Sequence, residues 1–159
     1  MSWCNRRLFL FGTASLAGCG FSPIGQGGHP FQGQITLPTP QNKNEFMLVH
    51  RLEDRLGGVT SPTYALQFSI STSSQRTSIS SDGKANRNLI EGRVVYTLTR
   101  QSDAKVVISG RADAFVGHST TGSTVATAAA ERDAAQRLMI QLADLVTEDL
   151  LLRAHEVAQ

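Results

Sequence analysis

The hydrophobic and polar positions of this chain change period along its length, and each period predicts a different element. The first apolar stripe recurs at intervals of three and four residues, as on one face of a helix, and comprises Phe46, Val49, Leu52 and Leu56. Asn42 or Asn44 can cap this helix, and Glu45 follows Asn42 at the spacing of a capping box. Gly57 and Gly58 are expected to end it.

Segments with a period of two flank this helix and predict strands. Residues 34–37 alternate briefly before two closely spaced prolines, which limits them to a short strand. After the helix, apolar and polar residues alternate from Tyr64 to Ser71, as in a half-buried strand. The polar stretch that continues to Ser81 can extend this strand as an exposed ribbon.

Two further strands follow a predicted turn at Asp82-Gly83. The first of them contains the apolar positions of residues 90–98, and the next covers residues 105–116 after a turn at 101–103. Three consecutive strands joined by short turns form an antiparallel meander. The meander is therefore expected to form most of the sheet.

Residues 124–154 return to helical spacing. The apolar stripe of this long helix comprises Leu138, Met139, Leu142, Leu145, Val146 and Leu150. The element order β-α-β-β-β-α predicts an α+β two-layer sandwich, in which a small, mainly antiparallel four-stranded sheet carries two helices on one face. No element remains to cover the other sheet face, which is rich in Ser, Thr, Gln and Arg, so we expect that face to contact a partner.

The N-terminus carries the features of a secretory signal. Arg6 and Arg7 precede the apolar run 8–11, which is far shorter than the roughly 20 residues of a permanent membrane span. The tetrapeptide Leu-Ala-Gly-Cys that ends at Cys19 resembles a bacterial lipobox, which implies cleavage before Cys19 and acylation of that residue. An ordinary secreted protein with a cysteine near its cleavage site is the alternative. The arginine pair leaves Sec and twin-arginine export both open.

These features predict three regions: a lipoprotein signal peptide at 1–18, a lipidated tether at 19–33 and a single periplasmic domain at 34–159. The tether is rich in glycine and proline, as expected of an extended linker. Gly20 follows the lipidated cysteine where inner-membrane lipoproteins commonly have aspartate, so the outer membrane is favoured. Several acyl chains would anchor the protein to that membrane.

Charge and cysteine content exclude several classes of function. The formal net charge of the full chain is +2, from 15 Lys and Arg against 13 Asp and Glu. The signal peptide contains two of these arginines and no acidic residue, so the mature chain is balanced and nucleic acid is not an expected partner. Cys4 is lost with the signal and Cys19 carries lipid, which leaves no thiol for a disulfide or a thiolate metal site.

The motifs of common enzymes are missing. There is no Gly-x-Ser-x-Gly motif, and the glycine-containing segment 117–122 lacks the lysine of a phosphate-binding loop. His118, Ser119 and Asp113 invite comparison with a catalytic triad, but a polar loop after a strand explains them better. The sequence therefore predicts a protein that is not an enzyme and holds neither cofactor nor metal.

Taken together, these elements resemble the LptE family of lipopolysaccharide-assembly lipoproteins, in particular its alphaproteobacterial members. The residues that carry the resemblance are 16–23, 46–57, 64–66, Gly92, Tyr96, Leu98, 109–111, 122–127, 130–134 and Leu138. It spans essentially the whole mature chain. Gly25 departs from it, because the family often has tyrosine after this opening motif.

The resemblance implies a non-enzymatic role in lipopolysaccharide transport. A family member is expected to plug the outer-membrane β-barrel LptD and to help deliver lipopolysaccharide to the outer leaflet. Arg76, Lys84 and Arg87 surround the first turn of the meander, and we expect them to contact lipid A phosphate or the barrel wall, unless they only solubilise the hairpin end. An auxiliary lipoprotein of an ABC-type lipid transporter, and an envelope hydrolase, are the alternative functions.

Overall fold

The computed structural model describes residues 29–79 and 85–157, except for the side chains of 76–79 and 85–86. Its elements are β1 (Ile35–Thr36), α1 (Lys43–Leu56), β2 (Tyr64–Ile79), β3 (Ala85–Arg100), β4 (Val106–Ser119), α2 (Thr124–Leu152) and α3 (Ala154–Val157). This order confirms the predicted β-α-β-β-β-α fold and adds a short terminal helix. The predicted signal peptide, Cys19 and the turn at Asp82-Gly83 lie outside the described residues.

The four strands form one mixed, mainly antiparallel sheet in the order β1-β2-β3-β4. β1 lies parallel to β2 and pairs only with Tyr64 and Ala65. The β2–β3 and β3–β4 pairs are antiparallel and long, and their register places Phe68, Tyr96 and Gly110 side by side across the three strands. The predicted polar extension of β2 is confirmed as far as Ile79. Its pairing with β3 becomes irregular after Arg76.

The two main helices begin at polar caps. The side chain of Asn42, rather than Asn44, accepts a hydrogen bond from the Glu45 amide at 3.0 Å. The Glu45 carboxylate in turn accepts from the Gln41 amide at 2.7 Å, so the reciprocal bond of the capping box is displaced by one residue. Ser123 caps α2 through the amide of Ala126 at 3.2 Å.

The core lies between the two helices and one face of the sheet, where α2 runs across β3 and β4 while α1 packs against α2. Gly92 of β3 permits this close approach, because a Cβ atom there would lie 2.9 Å from Leu142 Cδ1 and 3.0 Å from Leu138 Cδ2. On the neighbouring strand, the Tyr96 ring lies across Gly110. Both glycines therefore make room for larger side chains of the core.

Two residues of the predicted apolar stripes are exposed, which corrects the sequence analysis. Phe46 is 60% exposed, whereas Leu48 is fully buried. At about 100° per residue, Phe46 lies about 120° around α1 from Leu52, beyond the edge of the buried stripe. Leu145 of α2 is 40% exposed because it lies at the margin of the corresponding stripe on α2.

The packed part of the chain begins before residue 34. Phe31 is 2% exposed, and its ring meets Tyr64 edge to face with centroids 5.6 Å apart. Gly33 has φ of 69°, which lets the chain turn sharply between Phe31 and β1. A single aromatic residue in a glycine-rich segment thus packs into the core although its surroundings resemble a linker.

Candidate partner interface

The exposed face of the sheet, here called the outer face, is built by the odd-numbered residues of β2 and β3 and by their partners on β4. Side chains of a strand alternate between the two faces of the sheet. The strand register places one of these sets on the face that the helices do not cover. Its exposed residues are Gln67, Ser69, Ser71, Ser73, Gln75, Glu91, Arg93, Val95, Ser109, Arg111, Asp113 and Phe115. This confirms the predicted uncovered polar face over the described part of the sheet.

An ion-pair network crosses the centre of the outer face. Asp113 lies between Arg93 of the neighbouring strand and Arg111 of its own strand, with Nε–Oδ distances of 2.5 Å and 2.8 Å. The hydrogen bond from Arg93 lowers the pKa of the Asp113 carboxyl, and the charge of Arg111 adds to this effect. Because all three groups are exposed, the network contributes little stability, but it presents a fixed pattern of charge.

Two exposed apolar side chains flank this network. Phe115 is 70% exposed and pairs across the strands with Glu91, and Val95 is 47% exposed beside Arg111. Apolar anchors surrounded by a polar rim are typical of the centre of a protein interface. Strand parity alone places both residues on the polar face, but no sequence motif marks them.

Arg76, Lys84 and Arg87, here called the basic tip, surround the first turn of the meander. The structure describes only the side chain of Arg87 among them. Arg87 is exposed and lies along the outer face near Gly117, where an added Cβ would be 3.4 Å from its Nε atom. Arg76 pairs through its backbone with Asn88, so the backbones of Arg76 and Arg87 are close on adjacent strands. Lys84 and the side chain of Arg76 lie outside what is described.

The residues that resemble a catalytic triad do not meet. His118 is 6% exposed and points into the core, whereas Asp113 and Ser119 are exposed on the opposite face. Over residues 29–79 and 85–157, no group of three or more His, Cys, Asp or Glu could hold a metal ion. Within the same ranges, no helix combines the length and apolarity needed to span a membrane.

Polar contacts between the layers fix the position of the sheet under the helices. The Tyr96 hydroxyl donates a hydrogen bond to Asp149, and burial raises the pKa of Tyr96, with a further contribution from this bond. Arg153 contacts Asp149, four residues earlier, at 3.4 Å and donates to the Ser109 carbonyl at 2.9 Å. Arg153 therefore links α2 to β4 at the end of the sheet opposite the tip.

A polar contact between the two helices cannot be predicted from the local sequence. Arg51 of α1 donates two hydrogen bonds, of 2.9 and 3.1 Å, to the carboxylate of Asp144 on α2. Both residues lie beside the apolar stripes of their helices, where the sequence alone predicts a solvated position, and their meeting depends on how the two helices pack. Neither residue belongs to the outer face, so this pair supports the fold rather than the interface.

Comparison with known proteins adds three findings. A model of the LptE family, described as lipopolysaccharide-assembly, matches residues 33–150. A lipoprotein structure from Caulobacter crescentus is 23% identical, with a TM-score of 0.64 over 77% of this chain and 91% of that chain. Rare lipoprotein B from Shewanella oneidensis is 10% identical, with a TM-score of 0.62 over 79% of this chain and 98% of that chain.

A solution structure of lipoprotein B from Nitrosomonas europaea is also similar, at 15% identity and a TM-score of 0.59 over 86% of this chain and 93% of that chain. At these identities the three structures establish a shared fold. A comparison with curated proteins finds no match. The family match over most of the domain is therefore the finding that bears on function.

Proposed function

Because this chain belongs to the LptE family of lipopolysaccharide-assembly lipoproteins, we propose that it plugs an LptD-type β-barrel of the outer membrane. In this role it stabilises the barrel during assembly and takes part in moving lipopolysaccharide to the outer leaflet. The proposal requires binding rather than catalysis. The observation that carries it is the uncovered outer face of the sheet, supported by the family match.

The outer face has the chemistry expected of a surface inside a barrel lumen. Lumen-facing side chains of outer-membrane barrels are polar, and serine, threonine and glutamine side chains can donate to and accept from such a wall. The pattern of Arg93, Asp113 and Arg111 offers both signs of charge for matching groups. Phe115 and Val95 are the residues that gain most from losing water on contact.

The lipid on Cys19 would hold the domain at the membrane in which the barrel lies. Replacement of Cys19 by alanine should abolish metabolic labelling with palmitate, because no other cysteine remains in the mature chain. Labelling that persists in Cys19→Ala would contradict acylation at this residue. The predicted boundary between the signal peptide and the tether depends on the same experiment.

The first test is affinity purification of the tagged lipoprotein from detergent-solubilised envelopes. We expect an LptD-type barrel in a one-to-one ratio, established by mass spectrometry and by the mass of the complex in solution. Subunits of an ABC transporter in place of the barrel would instead assign the chain to an auxiliary transporter lipoprotein. Recovery of the lipoprotein alone under conditions that keep the barrel folded would also refute the plug role.

The basic tip is proposed to contact phosphate groups of lipid A or the barrel wall. Phosphate favours cations that can donate several hydrogen bonds, as arginine does. The test variant replaces Arg76, Lys84 and Arg87 with glutamate. A matched control makes the same change of charge at Lys43, Lys105 and Arg132, which are exposed and lie on neither β2 nor β3.

The tip variant should bind purified lipopolysaccharide more weakly than the control variant, while both unfold at the same temperature. Co-purification of the barrel with each variant then shows whether the tip contacts lipopolysaccharide or the barrel wall. Lost lipopolysaccharide binding with normal barrel binding assigns the tip to lipid, and the reverse assigns it to the wall. Equal behaviour of the two variants in both assays would leave the tip a solubilising hairpin end.

A further inference from the structure

Most of one long edge of the sheet lies unpaired over the described residues. β1 covers β2 only at Tyr64 and Ala65, and the sheet contains no other strand on that side. Natural edge strands are commonly protected by charges, prolines or bulges. Residues 66–75 of β2 have none of these: they contain no charged residue and no proline, and their pairing with β3 is regular.

The direction of the free backbone groups on this edge follows from one hydrogen bond. The Tyr64 amide donates to the Gln34 carbonyl at 3.0 Å, so it points away from β3. Successive residues of a strand direct their amides to opposite edges. The even-numbered residues of β2, including Ile70 and Thr72, therefore present unpaired N–H and C=O groups at the edge.

The side chains along this edge are self-complementary. On the outer face β2 presents Gln67, Ser69, Ser71, Ser73 and Gln75, all exposed. This order is the same in both directions about Ser71. A second β2 strand laid antiparallel with Ser71 opposite Ser71 places each glutamine opposite a glutamine of the other copy and Ser69 opposite Ser73.

The other face of β2 is complementary in a different way. Leu66 is buried and Phe68 and Ile70 are half-buried, but Thr72 and Ser74 are exposed. Beyond Ile70, beside the first turn of α1, the helical layer leaves a half-open cleft of about 270 Å³. It is lined by Asn44, Thr72, Ser73, Ser74, Ile90, Glu131, Ala135, Leu138 and Met139.

We propose that this edge pairs with the same edge of a second copy of the chain, antiparallel and with the twofold axis at Ser71. In this register Ile70 and Thr72 of the two copies exchange backbone hydrogen bonds. Phe68 of each copy lies opposite Ser74 of the other, with its ring directed to the cleft.

This dimer is a state of the free lipoprotein, distinct from the one-to-one complex proposed with the barrel, and its evidence does not depend on that complex. It joins the two sheets through their β2 strands into one continuous sheet, and only the short β1 strands and the β4 edges stay free over the described residues. The β4 edge is partly protected already, because Arg153 occupies the Ser109 carbonyl and Arg111 and Asp113 carry charge along the strand. Self-pairing thus covers the edge that is otherwise most prone to uncontrolled association.

A proline at position 72 tests the pairing without disturbing the sheet. The Thr72 amide points to the free edge, so Thr72→Pro removes an edge donor and no bond to β3. The mature chain with Cys19→Ala is studied by analytical ultracentrifugation at increasing concentration, with Thr72→Ala as the matched control. The parent and Thr72→Ala should reach twice the monomer mass, and Thr72→Pro should remain at the monomer mass with an unchanged circular dichroism spectrum.

Single cysteines test the register, because the Cys19→Ala chain has no other thiol after the signal is removed. Two Ser71→Cys residues would face each other at the twofold, where the Cα atoms of a non-hydrogen-bonded pair are about 4.5 Å apart and suit a disulfide. With diamide as oxidant, Ser71→Cys should form a covalent dimer. Ser69→Cys and Ser73→Cys should form a covalent dimer only when the two variants are mixed, because Ser69 of one copy lies opposite Ser73 of the other. In a dimer of either variant alone, the two cysteines would be about 13 Å apart.

A parent chain that stays monomeric at every concentration would overturn the proposal. A dimer that persists in Thr72→Pro, or equal cross-linking of all three single-cysteine variants, would show that association uses another surface. Since none of these readouts involves the barrel, they do not depend on the outcome of the plug experiment.

Discussion

The two faces of the sheet differ sharply although they are made by the same strands. On β3, Val94 is fully buried, while Arg93 and Val95, its neighbours in sequence, are exposed. One set of positions packs under the helices, and the set between them remains available to a partner. A period of two thus lets each strand serve folding and recognition with separate residues, so the effects of substitutions should separate in the same way.

The largest difference is expected between core and surface truncations. Leu142 of α2 is fully buried. Leu142→Ala should lower the free energy of unfolding by about 2–5 kcal/mol through lost burial and a residual cavity. Val95→Ala on the outer face should cost about 1 kcal/mol or less. Urea denaturation of both variants measures these values, and equal losses would refute the division between the faces.

Two glycines on opposite faces provide a smaller, matched comparison. An alanine Cβ at Gly92 would press against Leu138 and Leu142 at 3.0 Å or less, so Gly92→Ala should cost about 1–3 kcal/mol. The Cβ of Gly117→Ala would lie 3.4 Å from Nε of Arg87, an exposed side chain that can move, and at an ordinary contact distance of 3.8 Å from the Asn88 carbonyl oxygen. Gly117→Ala should lower the free energy of unfolding by less than about 1 kcal/mol in the same denaturation series. A larger loss for Gly117→Ala than for Gly92→Ala would contradict this comparison.

The smallest effect concerns the pH response of the outer face. The folded chain lowers the pKa of Asp113, chiefly through the hydrogen bond from Arg93. A lowered carboxyl pKa contributes stability above its unfolded value of about 3.9, and the contribution is lost as pH falls through the folded value. Asp113→Asn should therefore unfold slightly more easily than the parent at neutral pH and equally easily in strong acid, as measured by thermal melts across pH.

The order of elements could be predicted from the sequence because each element carries its own period and its own ends. The Asn42 cap and the contact between Asp149 and Arg153 are local, so both could be predicted as well. Phe46 was placed wrongly because spacings of three and four define a broad arc, and only packing decides where that arc ends. The pair of Arg51 and Asp144 depends on how two helices meet, which no local pattern contains.

The candidate interface could be predicted only as a face. Composition and parity indicated a polar, uncovered surface, but the network around Asp113 required the register between β3 and β4. Phe115 and Val95 break the expected inward placement of apolar residues, and this departure is the feature that marks them as anchors. Of Arg76, Lys84 and Arg87, only the side chain of Arg87 is described on that face, and the contact of all three with phosphate or the barrel wall stays a prediction.

The most direct test of the account measures folding and partner binding on one variant. Val95→Thr combined with Phe115→Thr removes both apolar anchors but keeps side chains that favour strands. The account predicts a melting temperature close to that of the parent, together with a severalfold loss of the LptD-type barrel on affinity purification from envelopes. Undiminished recovery of the barrel would contradict the proposal that the outer face is the binding surface.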